Sequence, residues 1–153
     1  MTQEEFSSKF KDLFSGMIQV AFEYVNRAEE VEQVYVYSDL EGNTTSFNCF
    51  FQIKGNLVKM HLVNDFLTNP VETSFNRMKE ILRIGTEDGK EVRSLFENFQ
   101  GEAPTNMKFI YSTKDGKFDS QISYDLQHTN TDDLLPSDIF KQWFDEVSES
   151  EQK

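Results

Sequence analysis

The sequence predicts an α+β fold, an antiparallel sheet of about five strands packed against helices in the order α-β-β-β-α(α)-β-β-α. Three observations carry this. Five stretches rich in Val, Ile, Phe and Tyr show the alternation of strands, and glycine turns at Glu41-Gly42-Asn43, Lys54-Gly55-Asn56 and Asp115-Gly116 divide them. Helical spacing of apolar residues appears at both ends of the chain and in its middle. No βαβ crossover pattern recurs in series, so the sheet is expected to be antiparallel.

The first helix is predicted over 2–27, where Phe6, Phe10, Leu13, Phe14, Met17, Ile18, Ala21, Tyr24 and Val25 fall on one face. Thr2 and Glu5 have the spacing of a capping box. The period then shortens to that of strands at 34–37, 45–53 and 57–63, a three-stranded meander. In its third strand Val58, Met60 and Leu62 would face the core, with Lys59 and His61 outside. Asn69 as cap and Pro70 at the first helical position open the next helix, with Phe75, Met78, Ile81 and Leu82 inward. Gly85 is expected to break it and Thr86 to restart it. Val92, Leu95, Phe96 and Phe99 continue the spacing to Gln100, and Gly101 closes the region.

The clearest hairpin spans 107–126, M-K-F-I-Y-S-T-K-D-G-K-F-D-S-Q-I-S-Y-D-L. Asp115-Gly116 suits a type I′ turn, which needs positive φ at both central residues. Met107, Phe109 and Tyr111 share one face, as do Phe118, Ser120, Ile122 and Tyr124, while Lys108, Asp119, Gln121 and Asp125 would stay in water. The sheet is therefore expected to be covered on one side only. Residues 127–135 are polar and read as loop. Pro136-Ser137-Asp138 opens a last helix, with Ile139, Phe140, Trp143, Phe144 and Val147 inward.

Residues 1–153 fit one domain, with 148–153 as a frayed acidic tail. Fifteen phenylalanines supply much of the core and argue against disorder. A net charge of -12, from 27 acidic and 15 basic residues, argues against binding nucleic acid or an anionic membrane through a basic surface. It suits a basic protein partner and leaves a homo-oligomer open. Cys49 is the one cysteine, which excludes an internal disulfide and any cysteine-rich zinc site. The polar, acidic N-terminus lacks the pattern of a signal peptide, and no apolar run reaches membrane-spanning length. A cytoplasmic setting is expected.

Few residues could carry chemistry. His61 and His128 stand far apart without metal-ligand spacing and read as ordinary exposed histidines, so no catalytic residue, metal ligand or cofactor is expected. Cys49 reads as a small buried residue on the face of Phe47 and Phe51, the alternative being a nucleophile if His61 came close. The carboxylates read as a solvated surface, the alternative being that a pair such as Asp132-Asp133 or Asp119 with Asp125 holds a divalent cation or acts as acid and base. Phe50 must point opposite to Phe47 and Phe51. On a one-sided sheet it would help form an exposed partner-binding patch, and on a sheet with a bulge or a second covered face it would not. Asp119, Asp125, Asp132, Asp133 and Asp138, together with Phe50, are the candidate partner-binding residues. From Asp132 onward Lys141 is the lone counter-charge before the final lysine, a pattern that fits either a partner's basic surface or a solubilising tail.

At 102–126, E-A-P-T-N-M-K-F-I-Y-S-T-K-D-G-K-F-D-S-Q-I-S-Y-D-L, the sequence resembles the YezG-like family of bacterial immunity proteins. The opening M-T-x-E-E-F, the V-Y-V-Y strand, the D-G-K-F hairpin and the late Trp143 follow the family's order, although Thr105 follows Pro104 where the family usually carries a tryptophan. The resemblance implies a non-enzymatic antitoxin of the bacterial cytoplasm that binds a secreted toxin domain, often a nuclease, and masks its active site or substrate groove. The order of elements is also similar to that of type III secretion chaperones, which would imply effector binding. A carboxylate-based enzyme is the third alternative.

Overall fold

The computed structural model describes residues 1–151. Its elements are α1 (Gln3–Tyr24), β1 (Val31–Asp39), β2 (Ser46–Ile53), β3 (Asn56–Lys59), a 3-10 helix (Met60–Asp65), α2 (Phe75–Gln100), β4 (Asn106–Ser112), β5 (Phe118–Ser123) and α3 (Pro136–Glu151). The strands form one antiparallel sheet in the order β3-β2-β1-β4-β5. The predicted α+β class and element order hold. No helix among the described residues is long and apolar enough to cross a membrane.

Register fixes which side chains share a face, because successive residues of a strand point to opposite sides. Val36 lies between Cys49 and Phe109, and Val34 between Phe51 and Tyr111. This face meets α1 and α2 and forms the larger core, with Phe6, Met17, Ala21, Ile81, Val92 and Phe96 packed against it. Cys49 is fully buried there, among the side chains the sequence placed beside it.

The opposite face is covered too, which corrects the expectation of a one-sided sheet. Tyr35, Tyr37 and Phe50 pack beneath Ile139, Phe140 and Trp143 of α3. Phe50 stacks on Tyr35 at a centroid separation of 4.4 Å and meets the Trp143 ring edge-on at 5.0 Å. With no exposed surface, Phe50 is a core residue and not part of an open partner-binding patch. Lys108 is half-buried because its ammonium lies over the Trp143 ring at 5.7 Å. The helix runs on to Glu151, past the predicted fraying point at Ser148, and residues 152–153 lie outside the described residues.

Several local expectations are corrected. The third strand stops at Lys59, and Met60 enters a 3-10 helix whose carbonyl accepts a hydrogen bond from the buried Tyr24 hydroxyl at 2.9 Å. Leu62 is consequently exposed, and Val63 is buried in its place. Asn69 and Pro70 do not open α2. The Asn64 side chain bonds both the N–H and the carbonyl of Val71, at 2.8 and 2.7 Å, so the chain stays extended until Ser74 caps the Arg77 N–H. Phe75 therefore points into solvent.

Gly85 does not break α2, which is continuous to Gln100. The ring of Phe47 lies against it so closely that a Cβ there would stand 2.3 Å from the ring. Gly101 ends the helix in the left-handed conformation, as expected. The type I′ turn belongs to Lys54-Gly55, where both φ values are positive, 51° and 82°. The β4–β5 connection is instead a longer loop, 113–117, closed by the Ser112 N–H donating to the Lys117 carbonyl at 2.9 Å, in which Gly116 alone takes positive φ.

Candidate functional site

Two places on the molecule could act on something else: the β5 edge with the acidic loop that follows it, and a buried polar cluster beneath that loop.

The two sheet edges differ. The β3 edge is four residues long and turns at once into the 3-10 helix, which blunts it. The β5 edge is six residues long, every one of them exposed or half-buried, and no described strand pairs with its outer side. Phe118 stacks on Phe14 at 4.5 Å and on Phe109 at 5.6 Å, yet it remains 39% exposed. Ile122, Tyr124 and Leu126 are 39, 43 and 57% exposed. An unpaired edge beside a row of apolar side chains can add a strand or cover itself with another protein.

The predicted acidic residues lie in this strand and in the loop and helix that follow it. Asp119 lies within β5, on the face away from Phe118, and borders an open groove of about 590 Å³ with Ile110, Lys117 and Val147. Asp125 follows the strand, and Asp132 and Asp133 lie exposed in loop 124–135. Among the described residues, none of these four carboxylates takes part in a hydrogen bond or ion pair. Asp138 differs. Its Oδ2 accepts the Leu135 N–H at 2.9 Å, so it closes the first turn of α3.

The buried cluster was missed by the sequence reading, and the expectation for His128 is corrected. His128 is 7% exposed, and its Nε2 lies 2.8 Å from Asp39 Oδ1 and 3.1 Å from Glu41 Oε2. Asp39 ends β1 and is fully buried, and Glu41 begins the turn to β2. Arg93 of α2 holds that turn by donating to the Leu40 carbonyl at 2.7 Å and to the Thr44 carbonyl. Glu41 in turn gathers loop 124–135. Its carboxylate accepts from the N–H groups of Gln127, His128 and Thr129 at 2.9, 3.0 and 3.2 Å, and from the Thr129 hydroxyl at 2.7 Å.

These contacts split the behaviour of the two carboxyls. Burial pushes the Asp39 carboxyl above its ordinary range, with His128 opposing that shift and the charge of Glu41 adding to it. Burial also disfavours the charge of Glu41, but the Thr129 hydroxyl and the three backbone N–H groups outweigh it and hold Glu41 below its ordinary range. The signal in the sequence was slight. Asp39 and Glu41 interrupt an otherwise apolar strand end, while their partner sits 89 and 87 positions away.

Cys49 and His61 line one groove with Met78 and Phe75, but the thiol is fully buried and burial pushes its pKa up. A nucleophilic thiolate is not favoured there. No protein-family model matches the sequence, and no curated protein does either.

Proposed function

We propose that the chain is an immunity protein that binds a basic toxin domain, for instance a nuclease, through the β5 edge and the acidic loop beside it, and so masks the toxin's active site or substrate groove. The observation that carries this reading is the open β5 edge, where exposed apolar side chains adjoin carboxylates without a partner of their own. A nuclease must be basic along its groove, so an acidic surface can occupy the place of the phosphates. The resemblance of 102–126 to the YezG-like immunity family supports the same reading, because that stretch is the β4–β5 hairpin itself. No residue is assigned a catalytic role, and the setting proposed is the bacterial cytoplasm.

Two kinds of contact act at such a surface. Charges at the rim steer the encounter and act on the association rate, whereas buried apolar contacts govern dissociation. Pull-down from the source organism followed by identification of the bound protein would supply the partner for kinetic work. Asp132→Asn with Asp133→Asn should slow association and flatten its salt dependence, with dissociation nearly unchanged. Ile122→Lys should speed dissociation by tenfold or more if the edge is covered. A toxin domain bound with rates that respond to neither change would remove this surface from the interface.

The same open edge favours a second reading, a secretion chaperone that holds an extended effector segment against β5. A partner captured as an unfolded segment, with no toxin activity inhibited, would select it.

A further inference from the structure

We infer that Asp39, Glu41 and His128 form a binding site for one first-row divalent cation, such as Mn²⁺ or Zn²⁺, which ties loop 124–135 to the end of β1.

The donor set is an imidazole nitrogen and two carboxylate oxygens, which suits borderline cations of the first transition row. One ligand atom from each residue lies within 4.8 Å of the others, and all three side chains are buried. In octahedral geometry, ligands about 2.1 Å from a cation are spaced about 3.0 Å along each edge. His128 Nε2 stands 2.8 Å from Asp39 Oδ1 and 3.1 Å from Glu41 Oε2, which matches two such edges.

Distances of this size are equally those of hydrogen bonds, so they do not decide between a cation and a proton. The leftover polar atoms bear on the choice. Two ionised carboxylates beside one imidazole would carry net negative charge in a site shut off from water, a costly arrangement unless a proton or a cation offsets it. A divalent cation on the neutral imidazole cancels it. Four buried side-chain oxygens lack a hydrogen-bond partner among the described residues, those of Ser38 and Thr45 and, on this face of β1, Asp39 Oδ2 and the Tyr37 hydroxyl. Tyr37 and Asp39 project from the same face of β1. Unsatisfied buried polar groups on one strand face call for a partner, and an ion with its water can serve both. A cation with coordinated water supplies the donor that Oδ2 lacks and an acceptor for Tyr37.

The surroundings of Glu41 fit as well. Metal ligands are oriented by outer hydrogen bonds, and here three backbone N–H groups and the Thr129 hydroxyl fix the carboxylate. Glu41 would bind through Oε2, the oxygen that faces His128. This inference does not depend on the identity of the partner protein.

The test uses the full chain, stripped with chelator, reloaded with Mn²⁺ or Zn²⁺ and passed through a desalting column. One equivalent of metal should be retained. The thermal midpoint should rise by about 5–10 °C at free metal roughly a hundred times the dissociation constant. Asp39→Asn and His128→Gln should each lose the equivalent and the rise. Should these variants fail to fold, the wild-type chain still decides the matter: substoichiometric Mn²⁺ should broaden the magnetic resonance signals of the His128 and Tyr37 rings before those of the exposed His61. No retained metal, retention unchanged in folded variants, or broadening that spares His128 would each overturn the assignment.

Discussion

Replacing Gly85 by alanine should destabilise the fold, although alanine is the better helix former. At an exposed helical position the exchange gains about 1 kcal/mol. Here a Cβ would lie 2.3 Å from Phe47 Cγ and 2.4 Å from both Cδ atoms, where carbon atoms in contact keep about 3.5–4.0 Å. The ring would have to retreat by more than about 1 Å, and its space is already filled, since Phe47 is buried between the sheet and α2. Overpacking costs about 1–3 kcal/mol, and a clash against the body of a ring belongs at the upper end, so the net loss is about 2 kcal/mol. In a chain of this size that lowers the thermal midpoint by about 4–8 °C.

Circular dichroism melts and urea titrations of the two chains measure the difference directly. Two comparisons sharpen the test. Gly89→Ala, whose Cβ would meet Thr45 Cγ2 at 3.0 Å and the Ser38 hydroxyl at 3.2 Å, should lose less. Phe47→Leu combined with Gly85→Ala should cost less than the sum of the single changes, because the smaller side chain frees the space. A midpoint for Gly85→Ala at or above that of the parent would refute the close-approach argument.

Two further outcomes are expected. Gly116→Val should cost about 1 kcal/mol or more from backbone strain alone, because φ is 72° there and nothing lies within 4 Å of an added Cβ. Gly116→Asn should cost less, since asparagine tolerates this conformation, and equal urea midpoints for the two variants would contradict the strain account. Cys49 should react with thiol reagents only as fast as the chain unfolds, because the side chain is fully buried and burial raises its pKa. Cys49→Ser should leave partner binding intact in the folded protein. Prompt labelling of the native chain, or lost binding without lost folding, would restore the nucleophile or interface reading.

Helices and hairpins were legible where the information was local. The Thr2 cap, the apolar face of α1, the inward side of α3 and the division of β4 and β5 into two faces follow from spacing within a few residues, whereas the type I′ turn read at Asp115-Gly116 is a longer loop. Readings failed where a distant group outvoted a local preference. Asn69-Pro70 is a sound helix start by itself, but Asn64 holds Val71 extended and leaves the cap to Ser74. Gly85 is a poor helix residue until the Phe47 ring needs its missing side chain. Phe50 looked free because the alternation of β2 says only that it opposes Phe51, not what lies above it. That depends on α3, which returns across the second face almost a hundred residues later. His128 was the extreme case, a lone histidine in a polar loop whose partners lie 89 and 87 residues back.

The acidic loop is less free than its sequence suggests, and this bears on how it could serve a partner. At its start the Thr105 hydroxyl donates to the Asp125 carbonyl at 2.6 Å, and Glu41 then binds the N–H groups of Gln127, His128 and Thr129. At its end Ile139 and Trp143 anchor α3 on the sheet. Asp132 and Asp133 therefore sit in a short span between two fixed points, where the Thr131 hydroxyl accepts the Asp133 N–H at 3.0 Å. A loop already ordered loses less entropy on binding, so its charges favour association more than the same charges on a loose tail would. The cluster beneath the loop and the carboxylates upon it thus have separate tasks, one holding position and the other meeting the proposed partner. Weakening the anchor through His128 should scatter the loop while leaving its charge untouched. Neutralising Asp132 and Asp133 should remove the charge while leaving the loop in place.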